Sequence, residues 1–171
     1  MTIGTIGIVG ETHRFPSRSY LEWNIMNART NAVWHAILDD EHVREKMYGS
    51  RCTVSPWDDG TRVCVYEGFP ITADIAADDE HVTVRQTFRR GIMTFEAFPR
   101  VGARFVEARG EIQVVPIPIP HSSGCKVLMT VELLCKLPPV VKKAVVPFFE
   151  KKVTTEMERL RDATITAFSR R

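Results

Sequence analysis

A chain of 171 residues suits one domain, and a domain of this size buries roughly 70% of the surface its unfolded chain exposes. Its 23 basic and 21 acidic residues leave a net charge of +2, too balanced for a nucleic-acid face, because phosphate binding needs a surface of one sign. No apolar stretch approaches the ~18 residues that span a bilayer, and the start lacks the charged segment and apolar run of a secretory signal.

The four cysteines, Cys52, Cys64, Cys125 and Cys135, form no CxxC pair, so zinc and thioredoxin-like readings fail. They read as small buried thiols in a reducing compartment. That places the chain in the cytoplasm, with a membrane-peripheral or mitochondrial site as alternatives. A Cys52–Cys64 disulfide across a hairpin is the alternative for that pair.

Residues 1–18 are glycine-rich and then carry Pro16-Ser17-Arg18, which reads as an N-terminal extension or edge strand ahead of a domain over 19–171. From Tyr20 to Asn27 the pattern alternates, with Leu21, Trp23 and Ile25 on one face, which predicts a strand with one buried side. Thr30 or Asn31 offers a cap for a helix carrying Val33, Trp34, Ile37 and Leu38. Asp39-Asp40 caps a second short helix through Val43 and Met47.

From residue 50 to 136 the period is two. Cys52 and Val54 lead into a turn at Trp57 to Gly60, and Val63 and Val65 lead back as the inward positions. Residues 68–80 have no period and read as a lid or entrance loop. Val82, Val84, Gln86 and Phe88 mark the next strand, turned at Arg89-Arg90-Gly91 into Met93, Phe95 and Ala97. Val106, Ala108, Gly110, Ile112 and Val114 follow. Pro116, Pro118 and Pro120 cannot donate to a ladder, so that stretch is expected to leave the sheet. Val127, Met129, Val131 and Leu133 give the clearest alternation of all. After Pro138-Pro139 the period becomes helical: Phe149, Val153, Met157, Leu160, Thr164 and Phe168 recur every three or four residues, with Pro147 starting or kinking the helix.

The fold class is therefore α+β: an antiparallel sheet of about seven strands curved around a long C-terminal helix, with two short helices after the first strand. Two segments carry a family resemblance. Ala32-Val33-Trp34-His35-Ala36-Ile37-Leu38-Asp39-Asp40-Glu41-His42 is similar to an opening-helix pattern, and Val131-Glu132-Leu133-Leu134-Cys135-Lys136-Leu137-Pro138 runs into the C-terminal helix. Over residues 19–169 the chain resembles the START-like (helix-grip, Bet v 1-like/polyketide cyclase) superfamily, nearest to its uncharacterised lipid-binding branches. The resemblance implies carriage or sensing of a lipid-like molecule in an internal cavity.

The inward face agrees, being almost wholly apolar. Catalysis by acid and base needs at least two placed titratable groups, whereas an apolar pocket with a few polar groups is what a ligand site looks like. The expected lining is Trp23, Val84, Phe88, Phe95, Met129 and Val131 from the sheet and Phe149, Val153, Met157 and Leu160 from the helix, with Glu67, Phe69 and Ile71 at the mouth. Gln86 is the inward polar residue and either orients a ligand or bonds a neighbouring side chain.

No catalytic residue, metal or cofactor motif is expected. The alternatives are a cyclase or dehydratase, needing for instance Glu67 with Arg62 or His81 in the cavity, and a protein-interaction module with a filled core. Lys142, Lys143, Lys151 and Lys152, interleaved with Val140, Val141, Val145, Val146, Phe148 and Phe149, suggest transient contact with an anionic membrane surface.

Overall fold

The structure, a computed structural model, describes residues 15–48, 51–67, 81–99, 106–119, 122–135 and 138–169. Strand β1 (Phe15–Met26) is followed by helices α1 (Thr30–Asp39) and α2 (Glu41–Tyr48). Strands β2 (Cys52–Val54), β3 (Thr61–Glu67), β4 (His81–Arg89), β5 (Ile92–Pro99), β6 (Val106–Ile119) and β7 (Ser122–Cys135) then lead to helix α3 (Pro139–Ser169). They form one seven-stranded antiparallel sheet in the order β1-β7-β6-β5-β4-β3-β2. This is the α+β helix-grip arrangement expected from the sequence.

The turn chemistry works as read. Asp59 and Gly60 have φ of 47° and 73°, and Asp58 and Thr61 exchange backbone hydrogen bonds across them. Arg90 and Gly91 have φ of 53° and 74°, the doubly positive pattern whose twist matches that of the strands it joins. Gly110 is obligatory for another reason. A Cβ there would lie 2.1 Å from the Thr130 carbonyl oxygen and 2.7 Å from the ring of Phe95, its cross-strand partner.

Four boundaries differ from expectation, each for a physical reason. Strand β1 begins at Phe15, ahead of Tyr20, because β7 is long enough to pair it from Cys135 onward. Helix α1 is preceded by Arg29, with no side-chain cap from Thr30 or Asn31. Its start is fixed by tertiary contact: Asn27 takes φ of 57°, and the Cys125 thiol donates to the Ala28 carbonyl at 2.9 Å. Helix α2 is capped as predicted, with Asp40 Oδ1 accepting the Val43 N–H at 3.2 Å.

The prolines do not take β6 out of the sheet, since Pro116 pairs with Cys125 and Pro118 with Ser123. Strand β5 pairs β6 only as far as Gln113. Beyond that point β6 has no neighbour on its second side among the described residues, so alternate residues need no N–H, and proline is tolerated as on an edge. Helix α3 starts at Pro139, eight residues before Pro147, and runs 31 residues, about 46 Å. Pro139 fits its first position, where an N–H would have no helical partner.

The concave sheet face buries Trp23, Ile25, Val84, Met93, Phe95, Ile112, Val127 and Met129 against Val33 and Ile37 of α1, Val43 of α2, and Met157 and Leu160 of α3. The convex face is polar, with Arg85 beside Glu96 (3.9 Å), Arg109 beside Glu132 (3.2 Å) and Lys126 beside Glu22 (3.8 Å).

One buried polar contact ties sheet to helix. The Trp23 indole N–H donates to Thr164 Oγ1 at 3.0 Å, while the threonine hydroxyl sits 3.0 Å from the Leu160 carbonyl and 2.9 Å from that of Arg161. Thr164 has no solvent exposure. Thr164→Val should lower unfolding free energy by about 1–3 kcal/mol, because it strands a buried indole N–H. Trp23→Phe in the Thr164→Val background should cost less than in the wild type. Denaturant melts of the four proteins check this, and strict additivity would contradict it.

Candidate ligand-binding site

The interior is built from the inward residues of β3–β7 and the apolar stripe of α3. Val84, Phe95, Met129, Val131, Met157 and Leu160 are all buried there, as the alternation and helical spacing predict. Trp23 is buried too, with its N–H committed to Thr164. Phe88 is half-buried and stands edge-on to Trp34 of α1, ring centroids 4.9 Å apart. Glu67 ends β3 opposite His81, but its side chain lies outside what is described, as do Phe69, Ile71 and the whole 68–80 segment.

The sequence reading of β3 is wrong by one residue. Arg62, Cys64 and Tyr66 are buried at 4%, 0% and 1% exposure, while Val63 and Val65 are half-buried on the other face. The register decides this: Arg62 pairs with Gln86, Cys64 with Val84 and Tyr66 with Cys52, all inward positions. Cys64 and Tyr66 carried the alternative signal, but two valines flanking a thiol look like the buried set, and an arginine among them looks solvated.

Arg62 is thus a buried guanidinium. Its Nε donates to Gln86 Oε1 at 2.8 Å, its Nη2 donates to the Leu38 carbonyl at the end of α1, and its Cζ lies 4.4 Å from the centroid of Trp57. Arg44 Nη1 also donates to the Leu38 carbonyl, at 3.0 Å, and two cations at a helix C-terminus complement its dipole. Burial lowers the Arg62 pKa from its ordinary value. Of the two roles read for Gln86, the structure shows the bond to a neighbouring side chain. Its carbonyl oxygen accepts from Arg62 and has the Cys64 thiol at 3.5 Å.

The opposite end of the interior is less tightly filled. Leu133 forms a second, smaller apolar cluster with Ala108, Val146, Phe149 and Val153. These four are only half-buried although Ala108 lies on the concave face and the others on the α3 stripe. Of the small residues that could open space, Gly110 is covered by Phe95 and Ala97 is buried, which leaves Ala108. Two further concavities lie outside the interior. One, of about 550 Å³, crosses the convex face among Arg18, Arg85, Arg109, Glu96 and Glu132. The other, of about 790 Å³, runs between α2 and α3 beside His42, Lys46, Arg159 and Asp162.

No protein-family model matches the chain, and no curated protein matches it in sequence. Solved structures do. An aromatase/cyclase, Zhui, from Streptomyces sp. R1128 superposes with a TM-score of 0.68 at 12% identity, covering 92% of this chain and 96% of its own. The fold these structures share with the chain is the helix grip. A truncated norcoclaurine synthase from Thalictrum flavum gives 0.66 at 12% identity over the same shares, 92% and 96%. The protein TTHA0849 from Thermus thermophilus gives 0.59 at 13% identity, over 88% of this chain and 99% of that one.

Beside the stripe of α3 in this helix grip, Glu156 is buried at 8% exposure. Its Oε1 lies 3.2 Å from Arg159 Nη1, while Oε2 is buried without a hydrogen-bond partner. Burial pushes this carboxyl up to about 7, against the pull of Arg159 and Lys152. The native state therefore holds the proton to higher pH than the unfolded chain does. The group costs nothing below the ordinary carboxylate range and progressively destabilises the fold as pH rises toward 7. Glu156→Gln should be more stable than wild type by about 1–3 kcal/mol at pH 8, with the gap closing by pH 4.5. Unfolding free energies across pH test this, and a difference independent of pH would contradict it.

Proposed function

We propose that the chain binds an apolar small molecule between the concave sheet face and α3, as a carrier or sensor and not an enzyme. The observation that carries this is the half-buried cluster Ala108, Val146, Phe149 and Val153. Apolar side chains on an inward face gain about 25 cal/mol for each Å² removed from water, so leaving them accessible has a cost that a ligand would offset. These four side chains are apolar, whereas of the buried polar residues Arg62 is bonded to Gln86 and to the Leu38 carbonyl, and Thr164 to Trp23. Two of the structures it resembles are named for enzymes that act on organic molecules, and a norcoclaurine synthase point mutant is described in complex with a transition-state analogue. Those names support a small-molecule role for the cavity of this fold.

Met157 is fully buried, so enlarging it would overpack the core; Val153 is the better place to fill the site. Val153→Trp should reduce uptake of an apolar fluorescent probe at least tenfold and leave the melting temperature within a few degrees. Unimpaired uptake by a folded Val153→Trp protein, or no uptake by the wild type, would sink the reading.

A second proposal concerns delivery. Val140 is 83% exposed and Phe148 43% exposed on α3, and Lys143 and Lys151 are exposed beside them. Basic residues with interleaved apolar ones dock anionic membrane surfaces. We infer that the first half of α3 does so. Binding to vesicles containing phosphatidylserine should fall severalfold in Phe148→Ser and in Lys143→Glu/Lys151→Glu, and should weaken with salt. Equal binding to neutral vesicles would contradict it.

A further inference from the structure

The inward row of α3 reads Phe149, Val153, Glu156, Leu160, Ala163 and Ala167, at intervals of four, three, four, three and four. The apolar members are in the core or packed against it. Glu156 sits in the middle of the row and is 8% exposed. Residues three and four apart on a helix are neighbours, so the acid stands between Val153 and Leu160. A carboxyl there is a standing cost, because burial penalises a polar group that is not fully bonded. A leucine at the same position would fill the row without it.

The other buried polar residues among those described, Arg62, Gln86 and Thr164, are hydrogen-bonded to core partners. Glu156 is only half bonded. Its Oε1 accepts from Arg159 Nη1 at 3.2 Å, while Oε2 is buried and has no hydrogen-bond partner among the described residues. Solvent does not reach Oε2, so a partner for it has to come through the apolar interior. The row itself marks the approach: Phe149 and Val153, the members ahead of Glu156, are only half-buried. They belong to the cluster with Ala108 and Val146 whose packing is incomplete.

We propose that Glu156 is the polar recognition group of the apolar site, and that the ligand is an apolar alcohol whose hydroxyl bonds Glu156 Oε2. The inference rests on the apolar-ligand reading and adds a head group to it. A hydroxyl suits this oxygen in either protonation state, since it donates to a carboxylate and accepts from a carboxylic acid. A ketone or an ether only accepts, and so fits the protonated acid alone. An ammonium only donates, and would bring a second cation to a carboxyl whose Oε1 Arg159 already holds. A ligand carboxylate would be repelled by ionised Glu156. The hydrocarbon part of the alcohol would lie against Val153, Phe149 and Val146. Burial of the acid is then offset only when the alcohol is bound, which makes Glu156 a selector of ligands at the expense of the fold.

The test is displacement of Nile red by 1-decanol and by undecane, a matched pair with and without the hydroxyl, in the wild type and in Glu156→Leu. Decanol affinity should fall about tenfold or more in Glu156→Leu, the usual worth of a hydrogen bond to a charged group. Undecane affinity should stay the same or rise. Glu156→Gln, which keeps a donor and an acceptor, should lose less than Glu156→Leu. In wild-type protein carrying carbon-13 at its glutamate carboxyls, the Glu156 resonance should shift with decanol and hold still with undecane. That readout decides the matter should a variant fail to fold. Unchanged decanol affinity in Glu156→Leu, or an unmoved Glu156 resonance at saturating decanol, would overturn the assignment and leave the apolar site standing. If the wild type takes up neither Nile red nor either chain molecule, the apolar-ligand reading fails and this inference falls with it.

Discussion

The bond between Trp23 and Thr164 sets how α3 lies in the sheet. A helix with an apolar stripe can roll on a curved apolar surface at little cost, because dispersion and burial have no preferred direction. A buried indole N–H removes that freedom, since rolling α3 would leave the donor unpaired in the core. With Thr164 held, Leu160, Met157, Val153 and Phe149 follow at helical spacing along the concave face.

The interior is graded from one end to the other. At the β3–β4 end, Arg62 is fixed by Gln86, by the Leu38 carbonyl and by Trp57. Losing either hydrogen-bonded partner leaves a buried charge exposed to a low dielectric, which is strongly destabilising. At the other end, contacts among Leu133, Ala108, Phe149 and Val153 are purely apolar and incomplete. Rigid polar anchoring beside a softer apolar region is a sound basis for holding ligands that differ in shape. In the proposed function, the soft end would adjust to the ligand while the anchored end stays fixed.

Much of this was legible in the residues. The stripe on α3 and the alternation of β7 name their buried faces correctly, because each runs long enough for one period to dominate. The turns at Asp59-Gly60 and Arg90-Gly91 were legible because each contains a glycine, which takes positive φ at no steric cost. The face of β3 was not. Arg62 is satisfied by Leu38 and Gln86, each 24 residues away in the chain, and no local pattern announces such partners. The prolines of β6 misled for a related reason: whether a missing N–H matters depends on how far β5 extends, which is a property of the sheet. For the candidate site, the sheet and helix positions were readable, while the weakening of packing around Ala108 emerges only once helix and sheet meet.

The central claim is that a small apolar molecule sits between sheet and helix. Methyl-labelled protein observed by NMR with an unlabelled apolar ligand tests it most directly. The account predicts intermolecular NOEs to the methyls of Ala108, Leu133, Val146 and Val153. NOEs confined to residues of the convex face or of the groove between α2 and α3, with none to those four, would contradict it.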